Sequence, residues 1–336
     1  MFGSSGTAAP DSPRTTAATA DATVRRRGAW TRLRNLGTAT VVAATMATTW
    51  VLPSPAAANT RLPVPYSFAA GIAAQLVNPH SSPPGSNDFS CRPTATHPRP
   101  VVLVHGTLGN MVDSWQALSP LLKNNGYCVF ALDYGGAPGG LFQGYGDIPT
   151  SAARLGAFVD RVRAATGTAE VDLVGHSQGG GALPRYYLQE LGGAAKVHDL
   201  VGIAPSNHGA PVEGILRLLD AFPGGRQAFV DACPACAQQD FDSPFMRDLN
   251  AHPDTVAGVR YTVIESRYDE VIRPYTLAFL AGPDVRNITV QDRCGLDFSD
   301  HLALIYDRVA LNEVLNALDP TRTDRVCALS LPVLGG

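Results

Sequence analysis

No stretch of this 336-residue chain holds the roughly 20 consecutive, strongly apolar residues that a membrane-spanning helix needs. The longest uncharged apolar segment, Leu36 to Leu52, is diluted by threonine and alanine, which disfavours a retained membrane anchor. Positive charge is not in excess either. The 26 lysines and arginines face 29 aspartates and glutamates, a formal net charge of −3, and this argues against nucleic-acid binding. No internal repeat is visible. Beside Cys233-Pro-Ala-Cys236 no second cysteine pair or histidine pair stands at zinc-ligand spacing, and no acidic loop has the spacing of a calcium site. Neither a metal nor an organic cofactor is therefore expected.

What the amino-terminal segment does contain is the pattern of an export signal. Arginines at 25, 26, 27, 32 and 34 precede the apolar segment, and Ala56-Ala57-Ala58 supplies small residues for a signal peptidase. Cleavage after Ala58 would remove six arginines and two aspartates and lower the formal charge from −3 to −7. The expected organisation is a signal peptide over 1–58, an extension over 59–100 that is loosely structured from Pro79 to Pro100, and a catalytic domain over 101–336. All six cysteines lie after Ala58, and an even set in an exported chain reads as disulfides. Of the 15 connectivities open to six cysteines, the one expected is Cys91 with Cys128, Cys233 with Cys236, and Cys294 with Cys327.

Short β-branched runs alternate with helical periodicity through the rest of the chain. Strands are predicted at Val101 to Val104, Tyr127 to Leu132, Val171 to Val174, Leu200 to Ala204, Tyr261 to Ile264 and Val285 to Val290. Between them, Ser151 to Ala164 places Leu155, Phe158, Val159 and Val162 on one helical face, and a second amphipathic stretch carries Leu183, Tyr187, Leu188 and Leu191. Near-continuous apolar strands separated by helices predict an α/β fold with a mostly parallel sheet covered on both faces. Loops at the carboxyl ends of such strands carry the chemistry.

One of those loops is Gly175-His176-Ser177-Gln178-Gly179, between a predicted strand and a helix-forming segment. A Gly-x-Ser-x-Gly in this setting makes a sharp turn that holds the serine hydroxyl out as a nucleophile. Serine is a weak nucleophile near neutral pH, so an imidazole must take its proton and a carboxylate must orient that imidazole. On this fold the chain order is Ser, acid, His. Of eight histidines only His301 follows the last predicted strand, where Ser299-Asp300 is expected to start a helix running through Leu302, Ile305, Tyr306 and Val309. Asp269, just past the strand ending at Ile264, is the expected acid, with Glu265 and Glu270 as close rivals and Asp297 and Asp300 as more distant ones. Charge on the carbonyl oxygen needs aimed donors. The backbone N–H of Gln178 is one, and the loop His105-Gly106-Thr107-Leu108-Gly109-Asn110 provides the other, from Thr107 with its hydroxyl or from Leu108.

These segments, with Ala204-Pro205-Ser206-Asn207-His208-Gly209 and Tyr268-Asp269-Glu270-Val271, resemble the secreted actinobacterial lipases and esterases of the α/β-hydrolase fold. The Gly-Thr loop and the serine-glutamine turn are also similar to the fungal lipase B type. The resemblance spans roughly Val101 to Pro320. It implies triad roles for Ser177, Asp269 and His301, oxyanion donation by Thr107 and Gln178, and hydrolysis of carboxylic esters, triacylglycerols foremost, through an acyl-enzyme. An acyltransferase would use the same intermediate, and a catalytically silent member of the fold would use none of it. The expected protein is a secreted monomer acting on lipid or ester substrate, with transient contact to a lipid interface. From Pro211 to Phe222, apolar residues recur at helical spacing, and Leu216 and Leu219 on that stripe are candidates for lining the acyl pocket.

Overall fold

The computed structural model describes residues 61–212 and 225–336. Six strands, β1 (Val101–Val104), β2 (Val129–Leu132), β3 (Val171–His176), β4 (Val197–Ile203), β5 (Arg260–Glu265) and β6 (Val285–Thr289), form one sheet in the order β2-β1-β3-β4-β5-β6. Every pairing is parallel. The helices used below are α1 (Phe68–Val77), α2 (Met111–Ser114), α3 (Leu118–Asn124), α4 (Ile148–Thr166), α5 (Ala182–Glu190), α6 (Gly225–Ala232), α7 (Pro234–Gln238), α8 (Pro244–Asn250), α9 (Val290–Arg293) and α10 (Arg308–Leu318).

Alternation along each strand divides the apolar residues between two cores. Val102, Val104 and Leu173 join Leu155, Val159 and Val162 of α4 and Leu183 and Tyr187 of α5. Their neighbours Val101, Leu103 and Val174 join Trp115, Leu118, Leu122 and the α10 residues Val309, Val314 and Leu315 on the opposite face. Both faces of the sheet are therefore dry, as its apolar runs require. The Leu191 side chain is not part of this packing: it follows the end of α5 and is exposed, because the helix stops at Glu190. Helix α4 starts where Asp147 accepts from the Thr150 N–H at 2.9 Å, with a proline in its first turn, and stops at Gly167 with φ 73°.

The segment Pro79 to Pro100 has almost no regular structure, yet it is tied down rather than loose. Asn87 bonds both main-chain groups of Ala131 at 2.9 and 3.0 Å and donates its own N–H to Val129 at 2.9 Å. Those bonds cover the open edge of β2, which would otherwise present unpaired groups to other chains. The Cys91–Cys128 disulfide anchors the same segment beside that strand, and Cys233–Cys236 and Cys294–Cys327 complete the expected set with no free thiol. Among the described residues no helix is long and apolar enough to cross a membrane.

The sheet order places the functional region. From β1 the chain crosses to β2 on one side, and β3 then lies on the other, so the loops leaving β1 and β3 diverge and open a crevice between them. Thr107 and Ser177 stand on those two loops.

Candidate active site

Strand β3 runs directly into the turn carrying Ser177, whose φ of 53° is in the left-handed region that non-glycine residues rarely adopt. The flanking glycines make this turn sterically feasible. A Cβ on Gly175 would meet the Gly179 carbonyl, and one on Gly179 would meet the carbonyls of Val104 and His105. Ser206, in the loop after β4, braces the turn by donating its N–H to the Ser177 carbonyl at 3.2 Å. Ser177 is the start of a short 3₁₀ turn, Ser177–Gly179, before α5 begins.

Asp269 and His301 come together from loops 32 residues apart. The His301 Nδ1 lies 2.7 Å from Asp269 Oδ2. The other carboxylate oxygen, Oδ1, accepts from the N–H groups of Val271 and Ile272, each at 2.7 Å. Burial pushes the Asp269 carboxyl up, but the bonds from His301 and these two amides outweigh it and hold the group below the usual carboxylate range. The His301 main chain is tied to the residue before the serine: His176 Nε2 donates to the His301 carbonyl at 2.9 Å, and the two rings are 4.8 Å apart. Because that acceptor is a carbonyl, His176 carries its proton on Nε2. Burial, then the facing His301, lowers its pKa to about 3, so it stays neutral. The Ser177 hydroxyl makes no hydrogen bond to His301 here, and bonds of this kind commonly tighten only as substrate binds.

The rival acids have other places. Glu265 is wholly buried, makes no hydrogen bond to His301, and is pushed well above the usual range by burial and by the nearby Asp269 charge. Among the described residues Glu270 accepts only from the main-chain N–H of His301, at 3.2 Å. Asp297 accepts from Ser299, and Asp300 from the Ala303 N–H. The helix expected to begin beside His301 starts later. A 3₁₀ turn, Ala303–Tyr306, intervenes, and α10 begins at Arg308 under a cap from Asp307. Asp300 accepts from the Ala303 N–H ahead of the turn, and Asp307 caps the helix by accepting from the Ala310 N–H, an otherwise unpaired donor.

The loop after β1 is held from below by aromatic and amide contacts. Tyr134 stacks on His105 at 4.3 Å and donates to the His105 carbonyl at 2.6 Å. The Thr107 Oγ1 accepts from Gln178 Nε2 and from Gln239 Nε2, both at 2.8 Å. Leu108, the alternative donor position, has φ 63° and a half-exposed side chain. Tyr134 and Gln239 carry no motif in the sequence, and only the fold brings them here. Leu216 and Leu219 lie outside the described residues.

Among the described residues Asp172, His198 and Asp199 form a group whose ligand atoms lie within 4.8 Å of one another. It sits at the amino ends of β3 and β4, the end of the sheet away from Ser177. Arg99 pairs with Asp172 at 2.8 Å and Arg260 with Asp199 at 2.7 Å, so the carboxylates are already neutralised by an ion-pair network.

A doubly covered parallel sheet with a serine on a strained strand-to-helix turn, followed in the chain by a carboxylate and a histidine bonded to it, defines an α/β-hydrolase. The chain belongs to the class 2 lipase family, whose model, described as Lipase (class 2), matches residues 98–310. It is similar to a triacylglycerol lipase of Pseudarthrobacter phenanthrenivorans, 38% identical over 86 residues that make up 24% of this chain and 25% of that protein. A triacylglycerol lipase of Burkholderia plantarii is also 38% identical over 86 residues, 24% of this chain and 23% of the relative. Each alignment spans about a quarter of the relative's length. Among solved structures, Aspergillus fumigatus lipase B shares the fold with a TM-score of 0.54 at 20% identity, over 70% of this chain and 55% of that one. Mature Bacillus licheniformis lipase BlEst2 gives 0.50 at 16% identity, over 68% and 94%.

Proposed function

We propose that the protein hydrolyses carboxylic esters of lipids, triacylglycerols foremost, through an acyl-enzyme on Ser177. In the first half-reaction His301 takes the Ser177 proton as Oγ attacks the ester carbonyl carbon, and Asp269 steadies the imidazolium that results. The oxyanion meets the Thr107 hydroxyl and the Gln178 N–H. Collapse expels the alcohol, which leaves with the proton from His301. Water, deprotonated by the same imidazole, then attacks the acyl carbon, and His301 returns the proton to Ser177 Oγ as its bond to the fatty acid breaks. The observation that carries this reading is the 2.7 Å bond between His301 and Asp269, with the His301 main chain tied to the residue next to Ser177. Membership of a lipase family supports the ester substrate. Three disulfides and the arginine-led apolar segment support export into an oxidising compartment.

The test is labelling with an alkyl phosphonate, followed by peptide mapping and by hydrolysis rates on a series from acetate to long-chain acyl esters. A single adduct on Ser177 and turnover of water-insoluble triacylglycerol are expected. An adduct elsewhere, or none, would remove Ser177 from the chemistry.

A further inference from the structure

We propose that Gln239 is a positioning residue that compels the Thr107 hydroxyl to donate its proton into the crevice where the ester oxygen would sit. The proposal rests on the reading of Thr107 as an oxyanion donor. A threonine hydroxyl has one proton to give and two lone pairs to receive. Both lone pairs of Thr107 Oγ1 are occupied, one by Gln178 Nε2 and one by Gln239 Nε2, each at 2.8 Å.

Neither amide can be turned round to accept instead, because each is fixed by a group of known polarity. The Gln178 Nε2 also donates to the Gly144 carbonyl at 2.8 Å. The Gln239 Nε2 also donates to the Ala235 carbonyl at 3.1 Å, and Gln239 Oε1 accepts from the Ser206 hydroxyl at 2.8 Å. Carbonyl oxygens only accept, so nitrogen must face them, and the second N–H of each amide is left pointing at Thr107. The hydroxyl proton has no acceptor among the described residues and can serve only a group outside this network. A free hydroxyl would have to be reoriented at the moment charge develops; this one is set beforehand, which is how preorganised donors lower a barrier.

Gln239 directly follows α7, whose start is held by the Cys233–Cys236 disulfide, and its side chain is buried. Ser206 completes the circuit. It bonds the Ser177 carbonyl with its N–H and Gln239 with its hydroxyl, so the nucleophile turn and the donor loop share one brace.

A double-mutant cycle between Gln239→Met and Thr107→Val tests this on a soluble p-nitrophenyl ester. Thr107→Val should lower kcat on the order of 10²-fold, as loss of one oxyanion donor does. Gln239→Met should lower kcat by about tenfold or more with KM within about threefold, and should cost under about threefold when Thr107 is already valine. Gln239→Glu is the second variant. Its carboxylate would accept from Thr107 and turn the proton away, so kcat should fall about as far as in Thr107→Val. Equal losses from Gln239→Met in the native and Thr107→Val backgrounds would overturn the positioning role while leaving the oxyanion reading intact. A Thr107→Val enzyme with native kcat would overturn both. If Gln239→Met does not fold, Gln239→Glu, alone and with Thr107→Val, decides by the same comparison.

Discussion

Replacing Asp269 by asparagine changes one atom, and the surrounding bonds dictate which. Asp269 Oδ1 accepts two N–H groups, from Val271 and Ile272 at 2.7 Å, so the asparagine oxygen must take that position. Its NH₂ is then forced against His301 Nδ1, which lies 2.7 Å from Oδ2 in the native protein. A donor facing Nδ1 requires Nδ1 to accept, and the neutral imidazole must move its proton to Nε2. That is the nitrogen needed to receive the proton of Ser177. A general base locked in the wrong tautomer loses on the order of 10⁴ in turnover, about 5.4 kcal/mol of barrier. Folding should suffer far less. Two of the three bonds persist, and the exchange of a charge-assisted bond for a neutral one costs about 1–2 kcal/mol, a fall of a few degrees in Tm. The assay is kcat on a p-nitrophenyl ester alongside thermal unfolding, with Glu270→Gln as control, since Glu270 bonds the His301 main chain and not its ring. A kcat within tenfold of native, or an equal loss in Glu270→Gln, would refute the assignment of Asp269 as the orienting acid.

Glu265 has a folded-state pKa raised above its unfolded value, so it holds a proton that the unfolded chain releases, and stability falls as pH rises above the ordinary glutamate range. Glu265→Gln, which mimics the protonated form, should keep activity and raise Tm at pH 8 more than at pH 5; the reverse order would contradict a neutral Glu265. Ser177→Gly should abolish turnover yet raise Tm, because glycine relieves the φ of 53° at that turn, on the scale of 1 kcal/mol or about 2–4 °C. Unchanged Tm would mean that the strain is spread over the neighbouring residues. On loop length, Cys91–Cys128 and Cys294–Cys327, separated by 37 and 33 residues, should each contribute about 4 kcal/mol. Cys233–Cys236, separated by 3, should contribute about 1.6 kcal/mol. Urea unfolding of the paired Cys-to-Ala variants ranks them, and a larger loss at Cys233–Cys236 than at the long loops would refute the chain-entropy argument.

The six strands, the turn at Ser177 and the place of His301 beyond the last strand were legible in the sequence because each depends on local pattern. Runs such as Val101–Val104 must be buried on both faces, the turn at Ser177 needs glycine on either side, and a histidine after the last strand has few rivals. Asp269 could be ranked above Glu265 by loop position, but only the folded chain shows that it is Asp269 that bonds His301. Two residues of the same charge class four positions apart differ in what the folded chain aims at them: His301 and two amides at Asp269, a single N–H at Glu265. The later start of α10 was equally out of reach, since Asp300 and Asp307 are both residue types that can cap a helix and only the folded chain shows Asp307 in that place. Gln239 is the extreme case. A buried glutamine 132 residues from Thr107 has no sequence signature, because its role is the direction of one N–H, and direction exists only when β1, β4 and α7 are assembled around it.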